Sequence, residues 1–384
     1  MQEFFEFSLG ARVLYKQGLA HELGDLAAGL GAQRAFVIAD HGVAAVGLLE
    51  PVIAGLQSHI EVVGTYTDVP ANSSVQSVME AASAAREVAT DLIVAVGGGS
   101  PIDTAKAVRI VLTHGGHLLD YQGYNVLESV LTPMIVVPTT AGSGSEVTAF
   151  AVIRDEEADL KISFASPFLV PNIAVLDPAL TASLPPRLTA ATGMDALSHA
   201  IETYVATENN PLSDSLALHA IDLISNHLRD AVRNGGDLEA RGQLLIASCM
   251  AGIAFSNSFL GAVHALSHAV GGKFAVHHGT LNALFLPHVM RYNSSYAAER
   301  YVRIAKALGV NAGGRSNEEV IADGIAAVHT LVAECNLPTT LREVGVPEET
   351  LEELAAIALV DGAIYHNPRV ATEAELLEIL RAAW

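Results

Sequence analysis

Along the first half of the chain, short runs of apolar and β-branched residues alternate with stretches of helical periodicity. Aromatic and β-branched residues around Gly10 predict a short strand pair within residues 3–15, followed by a helix at 17–30. Buried strands are predicted at Arg34–Asp40 (RAFVIAD), 61–67 and 91–96, with a helix at 74–88 between the last two. A further buried strand, Met134–Pro138, precedes a β pattern from 155 to 178 that includes 161–164 and 173–177. After Pro185-Pro186 the texture changes, and helical periodicity prevails to the end. It predicts helices at 189–207, 211–234, 238–257, 260–271, 281–294, 295–308, 316–335, 339–344, 348–358 and 372–383. Strands alternating with helices make an α/β domain with a parallel sheet. The expectation is therefore an α/β dinucleotide-binding domain over 1–185 and an all-α domain over 186–384.

Composition narrows the function. With 51% hydrophobic and 16% charged residues in 384, the chain can bury ample core and is not disordered. A net charge of -21 repels phosphate backbones and anionic lipid, so neither nucleic acid nor membrane is an expected partner. Cys249 and Cys335 lack C-x-x-C spacing and are expected to be reduced thiols of a cytoplasmic protein. The acidic N-terminus lacks the basic and apolar regions of a signal peptide. The uncharged run 244–263 is interrupted by Ser248, Ser256, Asn257 and Ser258, which favours a buried bundle helix over a membrane span.

Two strand-to-helix junctions carry candidate chemistry. Gly97-Gly98-Gly99-Ser100-Pro101-Ile102-Asp103 follows the strand 91–96. Its glycines permit a sharp turn and close approach of a ligand, Ser100 fits a helix N-cap, and Pro101 fits the first helical position. The amides and dipole of such a terminus suit a pyrophosphate. The motif is neither G-x-G-x-x-G nor a Walker A loop. The second junction, from Pro138 through Thr139, Thr140, Ser143, Ser145 and Thr148, offers hydroxyl donors with little bulk. Together the two suggest one extended dinucleotide. Asp40, at the end of its strand, is placed to accept hydrogen bonds from ribose hydroxyls.

In the helical half, Gly261–Pro287 holds His264, His268, His277 and His278, and Asp195 and His199 stand one turn apart some sixty residues earlier. Any one of these histidines alone is most simply a core or surface residue. Asp195, His199, His264 and His278 together offer one oxygen and three imidazole nitrogens, a set suited to Fe(II) or Zn(II). Spacing does not separate His268 from the ligands, and no H-E-x-x-H pattern supports a zincin.

These segments resemble the iron-containing (group III) alcohol dehydrogenases, whose fold is shared with dehydroquinate synthase and glycerol dehydrogenase. The resemblance lies in GGGSPIDTAKA (97–107), PTTAGSGSEVT (138–148), DPALTASLPP and AATGMDALSHAIE within 177–202, GAVHALSHAVGG and HHGTLNALFLPHVMRYN within 261–293, and Asn367-Pro368-Arg369. It implies a dehydroquinate synthase-like fold and a metal, Fe(II) with Zn(II) as the alternative, on Asp195, His199, His264 and His278. It puts His268 near the nicotinamide as a proton relay and leaves His277 without a role. Pyrophosphate falls on Gly97, Gly98, Gly99 and Ser100, with cofactor contacts at Asn72, Asp103, Thr139, Thr140, Ser143, Ser145, Lys161 and Leu180. A carboxylate at Asp40 favours NAD by repelling a 2'-phosphate. Phe150, Val152 and Phe255 line the implied pocket, all apolar, which favours small alcohols and aldehydes over phosphorylated or dicarboxylate substrates. The implied activity is reversible hydride transfer between a small alcohol and NAD, in a homodimer or higher homo-oligomer. Diol or hydroxy-acid oxidation and a lyase of the dehydroquinate synthase type are the alternatives. Maleylacetate reductases and a non-catalytic NAD-binding regulator fit the pattern less well.

Overall fold

Alternation along the strands decides how the N-terminal unit is built. In the computed structural model, which describes residues 4–158 and 160–384, strands β1 (Arg12–Tyr15), β2 (Arg34–Asp40), β3 (Glu61–Val69), β4 (Leu92–Gly97), β6 (Met134–Pro138) and β9 (Ile173–Leu176) form one parallel sheet in the order β1-β9-β6-β4-β2-β3. Phe36, Ile38, Ile93, Ala95 and Val136 pack on one face with α4 (Val75–Glu87) and α5 (Gly99–His114). Val37, Ala39, Val94, Val96, Ile135 and Val137 pack on the other with α1 (Leu23–Gly29) and α3 (Leu49–Gln57). A period of two with both faces covered explains strands that read as continuous apolar runs. A second sheet, β5 (Gly123–Tyr124), β8 (Leu160–Ala165) and β7 (Phe150–Asp155), flanks the first, and a short helix α2 (His41–Ala45) follows β2.

From β2 the chain crosses to β3 on one side, and from β4 to β6 on the other, so strand order reverses between β2 and β4. Crevices at the carboxyl ends of such strands are where doubly wound sheets bind ligands. Asp40 ends β2 there and Gly97 ends β4.

The second unit comprises Leu184–Trp384 with the N-terminal residues up to Ser8, and the first is Leu9–Ser183. It is built from α6 (Pro186–Val205), α7 (Pro211–Arg233), α8 (Leu238–Ser258), α9 (Ala262–Lys273), α10 (His278–Asn293), α11 (Ala298–Ala307), α12 (Asn317–Glu334), α13 (Leu351–Leu359) and α14 (Glu373–Ala383). Helix α6 packs against α7, α8 and α10 and is buried on every face from Thr189 to Val205. Helix α8 is apolar enough to cross a membrane by composition, yet two thirds of its apolar window lies inside this bundle.

Several sequence expectations are corrected. Glu3 lies outside the described residues, and residues 4–11 form no strand; β1 pairs with β9 in parallel instead of closing a local hairpin. No helix forms at 339–344: Glu343 accepts hydrogen bonds from the Thr339 and Thr340 hydroxyls, and Gly345 turns the chain at φ 79°. Six residues between Pro338 and a left-handed glycine are too few to nucleate a helix. Ser100 does not cap α5; Gly98 occupies the N-cap, and the Ser100 hydroxyl donates to the Ala71 carbonyl at 2.7 Å. Two helices the periodicity did not reveal, α2 and α3, complete one face of the sheet.

Candidate active site

In the N-terminal unit, Gly97 pairs in register with Pro138, so the two polar junctions leave the sheet at one level. The Thr139 amide donates to the Gly97 carbonyl at 3.0 Å. Gly97 turns with φ 151°, a conformation that side chains disfavour. A Cβ on Gly98 would lie 3.2 Å from the Thr140 hydroxyl, and one on Gly99 would lie 3.3 Å from Ser143, so the loops pack directly on each other. Ser73 ties the preceding loop in, donating to the Ser100 carbonyl at 2.6 Å, with exposed Asn72 beside it. Asp40 caps α2, accepting from the Val43 amide at 2.8 Å. Leu180 is buried in the sheet core, Lys161 stands opposite Arg154 in β8, and Phe150 and Val152 lie half-exposed or exposed in β7.

Beneath the loops lies a charged cluster that sequence reasoning missed. Lys106, fully buried on α5, reaches the Ser145 hydroxyl at 3.0 Å, the Thr148 carbonyl at 2.9 Å and hydroxyl at 3.0 Å, and the Phe150 carbonyl at 2.7 Å. Asp103, one turn earlier, accepts from the Ser145 hydroxyl at 2.6 Å and the Val152 amide at 3.0 Å. Burial lowers Lys106 to about 8 and raises Glu146 to about 7, and their attraction offsets part of each shift. Asp103 is thus turned toward the scaffold of the loop.

In the helical unit, Asp195 and His199 on α6 meet His264 on α9, with ligand atoms all within 4.8 Å of one another. His278, the first residue of α10, joins them: the Asp195 Oδ1 lies 3.8 Å from His199 Nε2, 3.9 Å from His264 Nε2 and 3.7 Å from His278 Nε2. Gly279 permits this meeting, since a Cβ there would fall 2.2 Å from the Ala191 carbonyl oxygen and 3.1 Å from Asp195 Cβ. Burial acts to raise the Asp195 carboxyl, but His199, His278 and the Asn282 amide outweigh it, and the net shift is downward. Burial and the neighbouring imidazoles push His264 well below its ordinary value. The site therefore presents the Asp195 carboxylate beside a neutral His264 imidazole.

These separations exceed hydrogen-bond length. They approach the ~3.4 Å edge of a tetrahedron of ligands about 2.1 Å from a central ion, so the donor set fits a divalent metal. Asn282, one turn after His278, donates to Asp195 Oδ1 at 2.6 Å, and its Nδ2 lies 3.1 Å from both His264 Nε2 and His278 Nε2. The Phe255 ring lies 4.6 Å from that of His199. His268 stacks on His278 at 5.4 Å and pairs through Nδ1 with Asp361 Oδ2 at 2.9 Å, while His277 is exposed at the N-cap of α10.

Family models match both units. Residues 10–178 match the iron-containing alcohol dehydrogenase model, and residues 189–384 match the C-terminal model of the Fe-containing alcohol dehydrogenase family. The NAD-dependent methanol dehydrogenase of Bacillus methanolicus is 38% identical over 96% of both chains. The chain belongs to the iron-containing alcohol dehydrogenase family. Among its relatives the 1,3-propanediol dehydrogenase of Klebsiella pneumoniae is 39% identical over 92% of both chains. The crystal structure of a 1,3-propanediol oxidoreductase superposes with a TM-score of 0.97 at 36% identity over the full length of both. The fold and the alcohol dehydrogenase class expected from the motifs are thereby established for this member.

Glu202, Asn282, Asp361 and Lys106 were not singled out in the sequence. Glu202 stands three residues after His199 and Asn282 four after His278, so a search for polar residues one turn from each ligand finds both. Asp361 comes from a distant turn, and no local signal marks it.

Proposed function

We propose that this dehydrogenase transfers hydride reversibly between a small primary alcohol or diol and NAD, with a divalent metal on Asp195, His199, His264 and His278. The observation that carries the proposal is the convergence of three imidazole Nε2 atoms 3.7–3.9 Å from one carboxylate oxygen. The family's name supports Fe(II), and the same ligand set also accommodates Zn(II). A cation there supplies a Lewis acid that eases ionisation of the substrate hydroxyl.

His268, half-buried and oriented through Nδ1 by Asp361, is the proposed relay for the alcohol proton. The loop 97–100 is the proposed pyrophosphate cradle, with coenzyme contacts proposed at Asn72, Asp103, Thr139, Thr140, Ser143, Ser145, Lys161 and Leu180, and the Asp40 carboxylate favours NAD over NADP. Phe150, Val152 and Phe255 offer apolar lining. Relatives named for methanol and 1,3-propanediol support short substrates. A lyase of the dehydroquinate synthase type has no such support. We further propose a cytoplasmic enzyme, consistent with two buried cysteines that form no disulfide, assembled as a homodimer or larger homo-oligomer.

The test is NADH consumption by anaerobically purified enzyme with a panel of short aldehydes, after chelation and with Fe(II) or Zn(II) restored. Metal-dependent turnover is expected. No turnover with any aldehyde, despite bound metal and NAD, overturns the assignment.

A further inference from the structure

The N-terminus of α9 begins at Gly261, which has no side chain to cap it. Its amides are instead received by a residue of another helix. The buried Glu202 carboxylate of α6 accepts from the Val263 amide at 2.6 Å and also faces the backbone amides of Gly261 and His264. Its second oxygen meets His264 Nδ1 in a short contact. Burial raises the Glu202 carboxyl to about 8, against the pull of these three amides; once ionised it is an acceptor at both oxygens, and the His264 proton is then assigned to Nδ1. The Nε2 lone pair then faces Asp195, His199 and His278. Glu202 stands seven residues after Asp195 and three after His199 on the same helix, so α6 carries two members of the site and the group that sets a third.

We propose that Glu202 is the positioning residue of the metal centre: it fixes the tautomer and ring orientation of His264 so that Nε2 is the coordinating atom. The inference rests on the metal assignment above. An imidazole in water carries its proton mainly on the other nitrogen, so a neutral His264 without this partner would have to change tautomer to bind. Outer partners of ligating histidines typically contribute 10–100-fold to metal affinity. Glutamine at 202 would place an NH2 group against either the Val263 amide or His264 Nδ1. The first arrangement opposes two donors, and the second favours the tautomer with its proton on Nε2.

The experiment uses the full chain and Co(II), with affinity measured by competition against a chelator and geometry by the Co(II) visible spectrum. Wild type should bind Co(II), and E202Q should bind it about 10–100-fold more weakly. In an H264A background the Glu202 substitution should change affinity by less than about twofold, because the effect acts through His264. An equal loss in both backgrounds, or no loss in either, overturns the proposal. Histidine nitrogen NMR of metal-free wild type, which requires no folded variant, should show His264 with its proton on Nδ1; a proton on Nε2 also overturns it. If wild type binds neither Co(II), Fe(II) nor Zn(II), the metal assignment itself fails, a result distinct from any loss confined to E202Q.

Discussion

Replacing Lys106 with methionine tests whether the buried ammonium holds the hydroxyl-rich loop. Methionine keeps most of the apolar stem in place and removes only the charge and its donors. In the wild type, four acceptors on Ser145, Thr148 and Phe150 converge on Nζ at 2.7–3.0 Å, and the carboxyls of Asp103 and Glu146 balance its charge. The hydrogen bonds share one donor group, so their contributions do not add separately. The relevant magnitude is that of removing one partner from a buried ion pair, about 3–5 kcal/mol. For a unit of this size each kcal/mol shifts the melting temperature by about 2–4 °C, so a fall on the order of 10 °C is expected. If the loop also contacts the coenzyme, NAD affinity should fall at least tenfold, equivalent to about 1.4 kcal/mol. Differential scanning calorimetry and NAD titration by fluorescence measure both. A melting temperature within about 2 °C of wild type would refute the packing argument. An unchanged NAD affinity in a destabilised protein would refute the link from scaffold to coenzyme.

D40S keeps an oxygen that can cap α2 but removes the charge, and should raise the NADP-to-NAD ratio of kcat/KM at least tenfold, as steady-state kinetics will show. G279A places a methyl 2.2 Å from the Ala191 carbonyl oxygen, so it should cost about 1–3 kcal/mol and reduce metal bound per chain, measured by thermal melting and elemental analysis. Burial lowers His288 from 6.5 to about 4, so the unfolded chain binds the proton more readily. Its contribution is present above pH 6.5 and is lost as pH falls toward 4, by up to about 2–3 kcal/mol. H288L should flatten that part of the urea-stability profile; an unchanged slope would show that His288 does not cause it.

The candidate metal cluster was legible because helical spacing and chemistry coincide: Asp195 and His199 share one turn, and His264 and His278 lie in an apolar stretch where imidazoles are conspicuous. The glycine and hydroxyl loops were legible for a similar reason, since both follow apolar strands. Their supporting groups were not. Lys106 looks like one more surface lysine until α5 is seen buried around it, and Glu202 like a solvated glutamate until α6 is enclosed on all sides. Ser100 shows how local capping preference yields to tertiary demand, because the glycine turn starts the helix two residues earlier and the hydroxyl serves the Ala71 carbonyl. Strand partners were likewise hidden, as β1 joins a strand some 160 residues away.

The ligand-bearing helices α6, α9 and α10 are joined at only one place by a short connector, residues 274–277, with His278 immediately after it. An ion held by the proposed ligands of all three helices would therefore act as a clasp on that connector. Because the clasp exists only in the folded bundle, its binding energy adds to the energy of opening. Metal loading of the proposed site should consequently govern how readily a protease cuts between α9 and α10, and storage without metal should age the protein from that joint outward.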